Sequence, residues 1–230
     1  TLIAIWFGLI ASCCEVVSRR QIFVRENRAG ISLAGTLLAL LFVNGLLALV
    51  QANAIAALSI GLLPVELIAD PAQVHLAVSA VALTAVCLGL LISSIGDSLK
   101  SALTLVPVCR IPQIIMGGLF RPVRESSHAY DLLAQLNPQR WAFELGLSGA
   151  RFSENGILAV ERGRMIEKRN LHLGESVAEL VQFKEMGLNS LYFPDNPNQP
   201  ATHCLLALFG IGAVAWLIAY GICRFQFKRS

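Results

Sequence analysis

Charge is what this sequence has least of. Only 14% of its 230 residues are Asp, Glu, Lys or Arg, against about 25% in soluble domains, so a soluble domain is the first class excluded. Aromatic residues are also few, at 7%. The apolar share is nevertheless 55%, with a mean hydropathy of +0.64, and Leu, Ala, Val and Ile supply most of it. That mix suits lipid-facing helices. A net charge of +3 is too small a basic excess to point to nucleic acid. No CxxC occurs, and Cys13, Cys14, Cys87, Cys109, Cys204 and Cys223 all lie in or beside apolar runs. They read as small apolar residues rather than a disulfide or metal framework. His75, His128, His172 and His203 have no metal-ligand spacing, so no metal site is predicted. No GxxxxGK[ST] occurs either, so the chain has no P-loop with which to bind ATP. The first run is apolar at once, without a basic n-region or a small-residue cleavage site, unlike a signal peptide. It reads as the tail of a span in a fragment of a longer protein.

What is present is a series of long apolar runs. A helix crosses a bilayer with about 20 apolar residues. Residues 33–61, 75–95, 101–120 and 203–223 qualify, and residues 1–14 make a partial span. Hydrocarbon leaves helix as the way to satisfy the backbone of each, so the expected fold is an all-α polytopic membrane domain. Five crossings sort the connections onto two sides. One side holds residues 15–32, the turn around Gly96–Lys100 and the tail RFQFKRS, with Arg19, Arg20, Arg25, Arg28, Lys100, Arg224, Lys228 and Arg229. The other holds residues 62–74, which contain no Lys or Arg, and the long segment 121–202. The positive-inside rule places the first side in the cytoplasm. Arg121 and Arg124, close to a span on the other side, pull mildly the opposite way.

The stretch EVVSRRQIFVRENR, residues 15–28, sets four arginines and two glutamates between two apolar runs. As a helix it places Val16, Val17, Phe23 and Val24 on one face, and Glu15 and Arg19 pair at i, i+4. Two readings fit: an amphipathic helix lying along the membrane surface, or a plain positive-inside anchor.

Three stretches carry a family likeness: EVVSRRQIFVRENRAG through Glu15, Arg20, Ile22, Phe23, Arg25, Glu26 and Gly30; LTLVPVCRIPQIIMGGLFRP through Pro107, Pro112, Gln113, Gly118 and Pro122; and NPQRWAFELGLSG through Arg140, Trp141, Ala142 and Glu144. In this order and spacing the chain resembles the type-2 membrane (permease) domain of ABC exporters. It is similar to the G-subfamily (white-type) half-transporters, and especially to bacterial members that fuse a forkhead-associated domain and an ATPase to the membrane part. It departs from them where Ala39 and Leu40 replace a common Ser-Lys pair, and where Arg19 replaces a common acidic residue. The resemblance implies a cytoplasmic coupling segment at residues 15–32 that docks on an ABC ATPase domain or subunit, with Glu15, Arg19, Arg20, Phe23, Arg25 and Glu26 as its contact residues. It implies ATP and Mg on that partner, no cofactor on this chain, a second permease half, and the bacterial cytoplasmic membrane. The expected function is outward transport of an amphipathic or lipophilic substrate by alternating access, with no catalytic residue of the chain's own.

Arg110 stands mid-run, where a charge is costly and usually faces a bundle interior or a water-filled cavity. The other reading is that it snorkels. Pro107 and Pro112 each remove a helical hydrogen bond, as a kinked gate or as a packing accommodation. Asn44, Gln51, Asn53 and Gln113 are amides inside apolar runs, which either link helices or line a translocation path. Within residues 121–202, PVRESSHAYDLLAQLNPQRWAFELGL is expected to dip back to the outer membrane surface with Tyr130 and Trp141 as interfacial aromatics. ENGILAVERGRMIEKRN and GESVAELVQFKEMGL read as amphipathic pieces, and NSLYFPDNPNQP as a loop. Three other functions compete, the plainest being a purely structural membrane scaffold. An ion-coupled secondary transporter would favour paired intramembrane carboxylates, which the runs lack. A membrane enzyme with its site in residues 121–202 would need a convergent cluster, and Glu125, His128, Asp131 and Glu144 have no spacing that forces one.

Overall fold

A computed structural model describes residues 1–62, 67–68, 71–117, 133–147, 151–152 and 201–228. The amphipathic pieces, the Asn/Pro-rich loop, Tyr130, Glu125, His128 and Asp131 lie outside the described residues. Among the described residues the main helices in chain order are α1 (Leu2–Ser12), α2 (Glu15–Ser18), α3 (Arg20–Arg28), α4 (Leu33–Leu62), α5 (Pro71–Ile95), α6 (Leu99–Ile115), α7 (Pro138–Leu147) and α8 (Ala201–Lys228). The fold is that of an all-α polytopic membrane protein. Its one departure among the described residues is a two-residue antiparallel pair, β1 (Leu67–Ile68) with β2 (Arg151–Phe152), in the register Leu67↔Phe152 and Ile68↔Arg151.

Three helices, α4, α5 and α8, are each long and apolar enough to cross a bilayer. The expected span at residues 101–120 is represented by α6, whose 17 residues rise about 25 Å, short of a hydrocarbon core of about 30 Å. Helix α6 also carries Lys100 and Arg110. The stretch Leu2–Ser18 meets α3 at a bend of 59°, so the chain turns sharply at Arg19, inside the charged stretch.

Helix α5 is the central post. Of its most apolar stretch 72% is buried, against 28% for α4 and 22% for α8, so α4 and α8 flank it and turn apolar side chains outward. Phe42, Val43, Val50 and Leu58 on α4 and Leu206, Val214 and Leu217 on α8 are exposed. Paired contacts give the directions. Ser12 reaches Val86 and Val16 reaches Ser93, while Thr84 reaches Leu208 and Ser94 meets Gln226, so α1 with its continuation α2, and α8, run with α5. Gly45 lies against Leu83 and Asn53 against Ser79 and His75, so α4 runs against it.

The seam between α1 and α5 is the tightest packing. A side chain at Gly8 would meet the Ala82 carbonyl oxygen at 2.5 Å and Ala85 Cβ at 2.7 Å, so the two backbones touch where glycine allows it. Ser12 Oγ then donates to Gly8 O at 2.7 Å and to Val86 O at 3.0 Å. This is a small-xxx-small contact of the kind that holds helices together in lipid.

Gly8→Leu overpacks that seam, at a cost of about 1–3 kcal/mol, or roughly 2–12 °C in Tm for a chain of this size. Gly210→Leu on α8, where an added side chain meets nothing within 4 Å, is the matched control and leaves Tm in place. Thermal melts of both variants in detergent check this, and equal shifts would contradict the seam.

Candidate functional site

The charged stretch folds as two short helices, α2 and α3. Helix α2 begins at Cys14, whose side chain makes no cap. The first amides of a helix need acceptors, and α5 provides one: Ser93 Oγ accepts from Val16 N at 2.9 Å and Val17 N at 3.1 Å. Helix α3 ends in a Schellman turn. Ile31 N donates to Glu26 O at 3.0 Å and Gly30 N to Asn27 O at 3.2 Å, and Gly30 takes the required positive φ of 86°.

The expected apolar face exists, but it is buried against protein rather than laid on a membrane surface. Val16 and Phe23 are buried, and the Phe23 ring stacks on Phe227 of α8 with centroids 5.7 Å apart and planes 12° apart. The physical reason is that α8 extends to Lys228 and offers an aromatic surface at that level.

The six predicted coupling residues fall into two groups. Glu15 and Arg19 form the expected i, i+4 ion pair at 3.0 Å. Arg20 Nη2 donates to Gln226 Oε1 at 2.6 Å, and Gln226 Nε2 donates to Ser94 O at 3.2 Å, a chain of bonds from α3 through α8 to α5. Glu26 is half-buried and accepts from Thr36 Oγ1 of α4 at 3.4 Å. Phe23 is in the stack. Arg25 is exposed on the outer side of α3, in company with Ile22. Beneath this layer an open groove of about 580 Å³ is lined by Arg20, Gln21, Val24, Asp97, Phe225, Gln226 and Phe227. It gathers α3, the α5–α6 turn and the end of α8, the three connections assigned to one side by charge.

The predicted path residues do not come together. Arg110 lies on the buried stripe of α6, with Ala102 and Val106, and is 1% exposed. It does not snorkel and it faces protein. Its guanidinium donates to Leu2 O and to Gln113 Oε1 (3.1 Å for the latter) and lies 5.8 Å from the Trp6 ring centroid. Gln113 O in turn accepts from Asn137 Nδ2 at 2.8 Å, which links α6 to the start of α7. Asn44 is buried and donates to Leu40 O of its own helix at 2.9 Å. Gln51 is half-buried on α4. Asn53 is the amide that joins helices, donating to Ser79 Oγ and meeting His75 Nδ1 at 2.7 Å. Pro107 and Pro112 sit on the exposed side of α6, and the helix continues through both.

Helix α7 starts as Asn-Pro starts dictate. Asn137 Oδ1 accepts from Gln139 N at 2.9 Å and Pro138 takes the first helical position, where its missing N–H costs nothing. Trp141 is buried rather than an interfacial anchor. Its Nε1 donates to Gln135 O at 2.7 Å and its ring packs on His203 of α8 at 5.5 Å. Arg140 lies 5.2 Å from the Trp141 ring centroid. Glu144 is 1% exposed, and its Oε2 has no hydrogen-bond partner among the described residues. Burial pushes its carboxyl above the ordinary glutamate value, and Arg140 partly opposes this.

Residues that the reading of the sequence passed over carry much of the assembly: Ser12, Ser93, Thr84, Asn137 and Gln226. A signal existed for two of them. Gly8-xxx-Ser12 and Gly89-xxx-Ser93 are small-xxx-small pairs within apolar runs.

Three long apolar helices, a bent charged segment and a helix pair tied at one end define an integral membrane protein of the helical class. The chain belongs to the ABC-2 type transporter family, whose model matches residues 1–150. It is thus a permease component of an ABC transporter, the membrane part and not the ATPase. No curated protein and no solved structure matches the chain.

Ser93→Ala leaves a buried amide (Val16) and a part-buried one (Val17) of α2 without their acceptor, at about 1–3 kcal/mol for an unmade buried bond. Amide exchange at Val16 and Val17 should quicken while exchange at the centre of α5 holds. Unaltered exchange at both would remove Ser93 from its role as a cap. Glu144 gives a pH test. The native carboxyl keeps its proton at pH values where the unfolded one, near the ordinary value of about 4.3, has released it. The native state binds more protons there, so stability falls as pH rises through that window. Glu144→Gln should flatten this fall in Tm, and identical slopes in the two proteins would exonerate Glu144.

Proposed function

We propose that this chain is the membrane half of an ATP-driven exporter of the bacterial cytoplasmic membrane. Two such halves enclose a path between them and move an amphipathic or lipophilic substrate outward by alternating access. ATP and Mg belong to an ABC ATPase domain or subunit that docks on residues 15–32. One observation supports this reading above others: the segment Glu15–Arg28 is fastened to each long helix. Ser93 ties α2 to α5, the Phe23–Phe227 stack and the Arg20–Gln226 bond tie α3 to α8, and Glu26–Thr36 ties α3 to α4. A displacement applied to α3 therefore reaches all three helices through short, directional contacts.

Within that reading the six residues divide their roles. Phe23, Arg20 and Glu26 transmit force inward, the Glu15–Arg19 pair stiffens the first turn, and Arg25 faces the ATPase. Arg25 presents positive charge outward, so the complementary ATPase surface is acidic. Arg110, Pro107, Pro112, Gln113, Asn44 and Gln51 act as the frame of the path rather than as its lining.

Arg25→Glu, reconstituted with its ATPase in proteoliposomes, should lower transport per ATP hydrolysed by several-fold while the Tm of the membrane part stays at the parent value. Transport per ATP equal to the parent's would sink the docking role of Arg25.

A further inference from the structure

We propose that Cys13 and Cys14 form a vicinal dithiol site that captures a monosubstituted trivalent arsenical, an aryl- or alkylarsenoxide, through both sulfurs. The two Sγ atoms lie 3.7 Å apart, in van der Waals contact. They sit at the junction where α1 ends on Cys13 and α2 begins on Cys14. Both are free thiols, Cys13 buried and Cys14 half-buried, so a ligand enters at Cys14 and closes on Cys13. No other pair of sulfurs touches among the described residues.

The geometry selects the ligand. Adjacent Cα atoms are about 3.8 Å apart, below the 4.4–6.8 Å usual for a disulfide, so direct oxidation of the pair to a disulfide is strained. A larger atom inserted between the sulfurs relieves that shortness. Zinc needs four ligands in a structural site and three in a catalytic one, and no group of three or more His, Cys, Asp or Glu side chains comes together among the described residues. Two soft thiols without a third protein ligand suit a soft trivalent centre that brings its own third substituent. The step balances without an oxidant: two As–S bonds form, the As–O double bond breaks, and the oxygen leaves as water with both thiol protons. The arsenic stays trivalent.

The bridge fixes the C-cap of α1 to the N-cap of α2, beside the amides that Ser93 holds. On the coupling reading above it stiffens the entry to the docking segment, but binding itself does not depend on that reading.

The test is intact-mass analysis of the full chain in detergent after phenylarsine oxide and then excess 2-mercaptoethanol. One phenylarsenic group should persist per chain, leave on addition of 1,2-ethanedithiol, and map by peptide sequencing to the segment holding Cys13 and Cys14. Cys13→Ser and Cys14→Ser should each lose it to the monothiol, with Tm confirming that both variants fold. Retention in either variant, mapping elsewhere, or no retention in the parent chain would overturn the proposal, whatever becomes of ATPase docking.

Discussion

The assembly depends on hydrogen bonds made along α5. Lipid gives two helices no hydrophobic reason to associate, so close packing and interhelical bonds must do it. Helix α5 supplies a bond to α4, α8, α1 and α2 in turn. Ser79 accepts from Asn53 of α4, Thr84 donates to Leu208 O of α8, Val86 O accepts from Ser12 of α1, Ser93 caps α2, and Ser94 O accepts from Gln226 of α8. Each partner is a small hydroxyl, an amide or a backbone carbonyl, so each bond draws two helices close without placing a charge in the bundle. The burial of α5 follows from this arrangement, since every side of it is claimed.

That hub explains why the short helices α2 and α3 are ordered at all. Four and nine residues are too few to be stable as isolated helices in water. Helix α2 persists because α5 satisfies its first amides, and α3 because Phe23 is stacked and a Schellman turn closes its end. The charged stretch is therefore a rigid attachment rather than a tail resting on the bilayer. Its polar side chains are divided between internal ties (Arg20 to Gln226, Glu26 to Thr36) and an outward face that holds Arg25.

Much of this was legible in the sequence. The long apolar runs announced α4, α5 and α8, and the change from apolar to charged residues announced the end of α1, whereas the bend at Arg19 and the start of α7 at Asn137-Pro138 were not read from it. Glu15 and Arg19 were paired by spacing alone. Arg110 was harder. Its spacing of four from Val106 and eight from Ala102 puts it on their face of α6, but periodicity does not say whether that face meets water or protein. Trp141 was misplaced for the related reason that an aromatic near a membrane boundary anchors equally well to headgroups or to a neighbouring helix. The bond from Arg20 to Gln226 joins residues 206 positions apart, and no local pattern encodes such a contact.

The two ends of the bundle are closed by different physics. At the end holding α3 and the α5–α6 turn, closure rests on the Phe23–Phe227 stack and on hydrogen-bonded pairs around an open groove. At the other, Arg110, Gln113, Asn137, Gln139 and Glu144 are drawn into the protein, and Arg110 Nε, Gln139 Oε1 and Glu144 Oε2 lack a hydrogen-bond partner among the described residues. Buried polar atoms left in that state cost about 1–3 kcal/mol each. A rearrangement that brings water to the second end recovers part of that cost, whereas one that opens the first must break satisfied contacts. The two ends therefore differ in what parting them costs, the polar end less than the stacked one.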